Sequence, residues 1–141
     1  MVVDASVILA AFFPDEAQDQ AQALIRDHIS RRVRLVAPTL LLYEVTNAVV
    51  MAERRGRISQ EAGEGILDSL EGLGIERIPV TWQQMLPLAR AFDRSAYYAA
   101  YLALAQARGE PLSTGDLHLY QAVRDRLDWV RYIGGEVEPE A

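Results

Sequence analysis

Met1-Val2-Val3-Asp4 runs straight into Ala5-Ser6-Val7-Ile8-Leu9-Ala10-Ala11-Phe12-Phe13. Two consecutive valines fit a short buried strand. The strand ends in an acid, and the apolar segment after it fits a helix that Pro14 stops. The same alternation recurs outward from this point. Between Asp15 and Arg31 the apolar positions Ala17, Ala21, Leu24, Ile25 and Ile29 return at helical spacing. Val33 to Ala37 reads as a second strand ended by Pro38, and Thr39 to Arg55 as a helix stopped by Gly56. Ser59 caps a helix reaching Gly72, which Gly63 and Gly65 weaken. Ile75 to Val80 is a third strand, and Thr81-Trp82-Gln83-Gln84 is a capping box that opens a helix to Phe92. An alanine- and tyrosine-rich helix from Ser95 to Arg108 follows, ending at Gly109. After it come a strand over Pro111 to Thr114, a helix over Asp116 to Arg126, and a last strand over Trp129 to Ile133. Strands separated by helices imply parallel pairing, hence an α/β fold: a three-layer α/β/α sandwich with a mostly parallel central sheet. Residues 1–133 form one domain, and 134–141 an acidic C-terminal tail expected to fray.

Composition narrows the function classes. A chain of 141 residues that is 50% apolar and 24% charged can bury a continuous core and is not disordered. The absence of cysteine excludes a disulfide framework, a thiolate zinc site and a cysteine nucleophile. Twenty acids against fourteen bases, all arginine, leave a formal charge of -6. Such a chain meets a polyanion only through a local patch or bound cations. The apolar run after Asp4 is too short to span a bilayer, and an acid stands where a signal peptide carries positive charge. A cytoplasmic protein with no membrane partner is expected.

In a parallel sheet, ligands gather beyond the carboxyl ends of the strands. Asp4 ends the first strand and Asp116 follows the fourth, so both fall on that edge. Each also suits a helix N-cap. Glu44 lies in Leu40-Leu41-Leu42-Tyr43-Glu44-Val45-Thr46-Asn47-Ala48-Val49-Val50-Met51, a helix apolar nearly all round and therefore expected to be largely buried. A carboxylate there is costly unless paired, hydrogen-bonded or metal-bound. Leu40, Glu44, Asn47 and Met51 share one helical face. The alternative is a buried ion pair with an arginine. Three acids at one sheet edge need a counter-charge. With His28 and His118 as the only nitrogen ligands, the donors are oxygens, which suit Mg²⁺ or Mn²⁺. Ser6 and Thr114 stand two residues from Asp4 and Asp116, able to support a metal shell or a phosphate oxygen. His28 on an amphipathic helix and His118 read as bystanders. A phosphatase with Asp4 as nucleophile is disfavoured, because haloacid-dehalogenase chemistry wants a second aspartate where Ser6 stands.

Four motifs in order carry a resemblance: Val2-Val3-Asp4-Ala5-Ser6-Val7; Pro38, Leu41, Glu44-Val45, Asn47-Ala48; Ala96-Tyr97-Tyr98-Ala99-Ala100-Tyr101-Leu102-Ala103-Leu104-Ala105; and Leu112-Ser113-Thr114-Gly115-Asp116. Together they resemble a PIN domain, most similar to the VapC toxins of type II toxin–antitoxin systems. The resemblance implies an endoribonuclease dependent on Mg²⁺ or Mn²⁺, homodimerisation, an RNA substrate and a small VapB-type antitoxin. By position, Asp4, Glu44 and Asp116 match family acids and Thr114 a family hydroxyl. Tyr98 stands where the family usually has aspartate. A phenol is a poor ligand for a hard cation at neutral pH, so a catalytically impaired member that keeps dimer and antitoxin binding is the alternative. Asp93, five residues earlier and off the helical face of Tyr98, reads as a solvated loop acid. Arg54 and Arg55, at the end of the Glu44 helix, are the candidate contacts to RNA or antitoxin; a solvated helix end complementing the dipole is the competing reading.

Overall fold

The computed structural model describes residues 1–16 and 18–135. Ala17, read as one of the periodic apolar positions of the second helix, and residues 136–141 of the acidic tail lie outside them. Among the described residues, five strands form one parallel sheet: β1 (Val2–Val3), β2 (Val36–Pro38), β3 (Glu76–Ile78), β4 (Leu112–Thr114) and β5 (Val130–Tyr132). Their spatial order is β3-β2-β1-β4-β5. The chain starts in the middle, moves outward through β2 and β3, then crosses back to lay β4 on the other side of β1. That reversal places a crevice at the carboxyl ends of β1 and β4, where parallel sheets bind ligands.

Among the described residues, seven helices cover the two faces: α1 (Ala5–Phe12), α2 (Asp19–Ile29), α3 (Leu40–Arg54), α4 (Gln60–Gly72), α5 (Trp82–Phe92), α6 (Ala96–Arg108) and α7 (Leu117–Val123). Alternation along the strands sorts the layers. Val2, Val36 and Leu112 point toward α6 and α7, with α5 packed outside α6. Val3 and Ala37 point toward α1, α2, α3 and α4. Both β1 valines are fully buried. The expected three-layer sandwich is the observed one.

Several boundaries differ from the sequence reading, each for a traceable reason. The second strand occupies Val36–Pro38 rather than Val33–Ala37, because the amides of Val33 and Leu35 are already taken. Val33 N–H bonds the Asp27 carbonyl at the end of α2, and Leu35 N–H bonds His28 Nδ1 at 3.0 Å. His28 Nε2 bonds the Leu73 carbonyl at 2.7 Å, so this ring ties α2 to β2 and to the end of α4. Pro38, expected to end the strand, is its last residue, past the single register pair joining β2 to β1. The third strand is Glu76–Ile78 rather than Ile75–Val80, because as an edge strand it matches the three residues of β2. The second helix starts at Asp19, not Asp15, and Ile29, one of its periodic apolar positions, is 65% exposed. That helix stops where Arg31 turns into the left-handed region and Arg32 N–H reaches back to the Asp27 carbonyl. The last helix is shorter than expected, Leu117–Val123. The capping box at Thr81 and the Ser59 cap form as read, and Ser95, where the next helix was expected to begin, is its N-cap.

Gly63 and Gly65 weaken α4 unequally. A Cβ on Gly63 would meet Val49 Cγ1 at 2.8 Å and the Glu53 carboxylate, so this glycine lets α4 approach α3. A Cβ on Gly65 meets nothing within 4 Å. Gly65→Ala is expected to stabilise the protein by about 0.5–1 kcal/mol, the usual helix-interior difference. Gly63→Ala is expected to destabilise it, because the clash outweighs the same gain in propensity. Chemical denaturation of both variants checks the pair, and equal shifts would contradict the close approach.

Candidate active site

Asp4 occupies the N-cap position of α1, yet its carboxylate makes no capping bond. It accepts instead from two hydroxyls, Ser6 Oγ on Oδ1 and Thr114 Oγ1 on Oδ2. Backbone amides fix the direction of both. Gly115 N–H donates to Ser6 Oγ at 2.7 Å, and Asp116 N–H donates to Thr114 Oγ1 at 3.0 Å. With their lone pairs used in this way, the hydroxyl protons turn to Asp4. Gly115 is held to a small residue, since a Cβ there would meet Ser6 Oγ at 3.3 Å. Asp4 is 5% exposed, the one charged side chain in the buried set of the described residues. Burial pushes its pKa up to about 6, the Ser6 and Thr114 hydroxyls oppose that rise, and the Asp116 charge adds to it.

Asp116 is both a cap and a cavity acid. Oδ1 accepts from Leu119 N–H at 3.1 Å, which opens α7, and Oδ2 accepts from the Tyr98 phenol at 2.7 Å. The bond to Asp116 pushes the Tyr98 pKa up to about 12, with burial adding to it, so the phenol stays a neutral donor. Glu44 projects from α3, and its Oε1 accepts from Tyr101 Oη at 2.6 Å. Burial raises the Glu44 pKa, and the Tyr101 hydroxyl opposes that.

The three expected acids line one cavity of about 420 Å³ with Ser6, Asn47, Tyr98 and Tyr101. Thr114 sits behind Asp4 rather than in the lining. The acids surround the space instead of meeting at a point: among the described residues no three acids or histidines already stand close enough to hold one ion. The ion pair considered for Glu44 does not form among the described residues. The expectation that α3 is apolar and buried nearly all round fails. Leu41, Val45, Val49 and Ala52 are buried, whereas Tyr43 is 73% exposed, so Glu44 is half-buried at the edge of the buried stripe. Arg54 and Arg55 are exposed and do not line the cavity; ten residues of helix put Arg54 about 15 Å along the axis from Glu44. Asp93, His28 and His118 do not line it either. Sequence reasoning missed Tyr101, because a tyrosine inside an apolar helix looks like core.

The donor set suits a hard divalent cation. Asp4, Asp116, Glu44, Ser6 and Asn47 offer oxygens, and no lining residue among those described supplies a positive charge.

Fold and site together define an α/β domain with an acid-lined crevice at its topological switch point. Residues 1–125 match the family profile of the PIN domain, and the chain belongs to that family. It is 31% identical to Ribonuclease VapC3 of Pyrobaculum aerophilum over 123 residues, covering 84% of this chain and 91% of the relative. It is 34% identical over 119 residues to Ribonuclease VapC9 of Mycobacterium tuberculosis, covering 84% and 87%. The crystal structure of PAE2754 from Pyrobaculum aerophilum superposes with a TM-score of 0.69 at 24% identity, covering 86% of this chain and 77% of that one, and shares the fold.

Proposed function

We propose that this chain is an endoribonuclease toxin of the VapC type that hydrolyses RNA phosphodiester bonds with Mg²⁺ or Mn²⁺ at Asp4, Glu44 and Asp116. The observation that carries the reading is Asp4: a buried carboxylate at a cap position that does no capping, held by two oriented hydroxyls and facing two further acids with no cation among the lining residues. A structural role alone gives no reason to bear that cost. The curated relatives are named VapC ribonucleases.

Asp4, Asp116 and Glu44 would hold the cation, with Asn47 at the rim and Ser6 and Thr114 fixing Asp4. The bound ion acidifies water and offsets charge growing on the phosphate. The protein's own groups do the rest. Ser6 and Thr114 keep the Asp4 carboxylate in one orientation, so no reorganisation is needed when substrate arrives. Glu44, exposed on one side, is placed to orient the attacking water and receive its proton. The new P–O bond forms as the bond to the leaving oxygen breaks, and that oxygen takes a proton from solvent.

The same reading includes a VapB-type antitoxin and a homodimer. Arg54 and Arg55 are offered to RNA or antitoxin, and the exposed Tyr43, Trp82 and Leu86 to protein contacts. A cytoplasmic setting belongs to the same reading; among the described residues no helix is long and apolar enough to cross a membrane. A second reading, an impaired member that keeps partner binding, is favoured by one observation: Tyr98 spends its hydroxyl on Asp116 where the family usually has an acid.

RNA incubated with the protein and Mn²⁺ is expected to be cut, with cleavage lost in EDTA and reduced about 10²-fold by Glu44→Gln, the scale of losing one electrostatic catalytic group. Gel-resolved products check this. Cleavage that persists in EDTA overturns the metal-dependent reading, and no cleavage with either cation leaves the second reading standing.

A further inference from the structure

Tyr101 occupies an unusual place between the layers. Its ring is 3% exposed within the buried run Ala99–Ala105 of α6, on the face of the sheet shared with α7. Glu44 belongs to α3, on the opposite face. Both helices pack on β2, and the 2.6 Å bond from Tyr101 Oη to Glu44 Oε1 reaches around the carboxyl edge of the sheet to join them. Glu44 Oε2 takes no hydrogen bond from the described residues. Tyr98, one turn earlier on α6, cannot replace this donor because its own hydroxyl is committed to Asp116.

We propose that Tyr101 is the positioning residue for Glu44: its hydroxyl, carried on the opposite layer, pins one carboxylate oxygen so that the other is presented to the cavity. This rests on reading the cavity as a divalent-cation nuclease site. A glutamate has rotatable bonds to spare, and on a half-exposed helix face it would otherwise sample solvent. A hydroxyl fixed by a buried ring removes that freedom without adding a positive charge that would compete with a cation. Packing alone would ask for no more than phenylalanine.

Tyr101→Phe keeps the ring and deletes the bond. Titration of Mn²⁺, followed by the EPR signal of the free ion, is expected to show about tenfold weaker binding, the lower end for losing a group that orients a ligand. The kcat for RNA is expected to fall with KM unchanged. In a Glu44→Gln background the same substitution is expected to cost nothing further. Unchanged Mn²⁺ affinity and kcat, an equal cost in both backgrounds, or a variant that does not fold would each make Tyr101 a core residue and overturn the assignment. Failure of the nuclease reading looks different: the parent itself would bind no Mn²⁺, or Asp4→Asn would bind it as the parent does, and the proposal would fall with it.

Discussion

Asp4→Asn is expected to silence RNA cleavage while raising the thermal stability of the metal-free protein at pH 7. The two effects share one cause. The Asp4 pKa stands near 6 in the folded protein against an ordinary value of 3.8. Between those values the folded state keeps a proton that the unfolded chain has lost, so stability falls as pH rises from about 4 to about 6 and is level above that. At pH 7 the ionised carboxylate therefore costs about 3 kcal/mol. An asparagine removes that cost but presents an amide to one of two hydroxyl donors, giving back about 1–2 kcal/mol. The net expectation is a gain of about 1–2 kcal/mol, or about 3–6 °C in Tm for a domain of this size. Cleavage should drop by about 10²–10³-fold, because the group that anchors the cation is neutral and its charge cannot be supplied elsewhere. Differential scanning calorimetry in EDTA from pH 4 to 8 reads the first effect, and the variant should lack the fall seen in the parent. Adding Mn²⁺ should raise the Tm of the parent more than that of the variant. If Asp4→Asn cuts RNA at the parent rate, Asp4 is a buried structural acid and the site assignment fails.

The sequence carried some parts of this arrangement and hid others, for physical reasons. β1 and its acid were legible because two β-branched residues followed by aspartate leave few alternatives, and the order of strands and helices forces parallel pairing. Caps were legible where the cap is local, as at Ser59 and Thr81, since hydroxyl and amide are three residues apart. The cap that locality also offers at Asp4 does not form: its oxygens go to Ser6 and to Thr114, the latter far along the chain. Strand limits were misread where side chains take backbone donors: the length of β2 depends on His28, seven residues before Leu35, holding the Leu35 amide. Helix periodicity groups the exposed Ile29 with the buried Ala21 and Ile25 because the repeat is blind to whether a partner layer extends that far. Tyr101 was hidden most completely. Its composition signal is that of packing, and its role depends on two helices from opposite faces meeting at the edge of the sheet.

Tyr98→Asp is expected to make the cavity a tighter cation site and a less stable apoprotein. The phenol now donates to Asp116 Oδ2, so Asp116 enters any metal shell with both oxygens already engaged by Leu119 N–H and Tyr98. An aspartate at this position is too short to keep that contact. It frees Asp116 Oδ2, opens room in the cavity, and adds one negative charge beside two existing ones. Without metal those acids repel, and the loss of ring packing adds to the penalty, so Tm in EDTA should fall. With Mn²⁺ the balance reverses, because affinity for a hard cation grows with the number of charged oxygen ligands. Affinity should rise on the order of tenfold and RNA cleavage with it. Tyr98→Phe separates the causes. It frees Asp116 without adding charge, and should leave Mn²⁺ affinity within about threefold of the parent, because at this partly solvated site water replaces most of the bond that the phenol gives the carboxylate. Calorimetric Mn²⁺ titration and RNA cleavage of the parent and both variants decide among three outcomes. A gain confined to Tyr98→Asp means the natural tyrosine holds the site below its capacity through charge. A similar gain in both variants assigns the restraint to the Asp116 bond. Cleavage that falls in both makes the phenol a working part of this site, which then acts with one fewer acid than the family pattern and depends on a fixed Asp116 in its place.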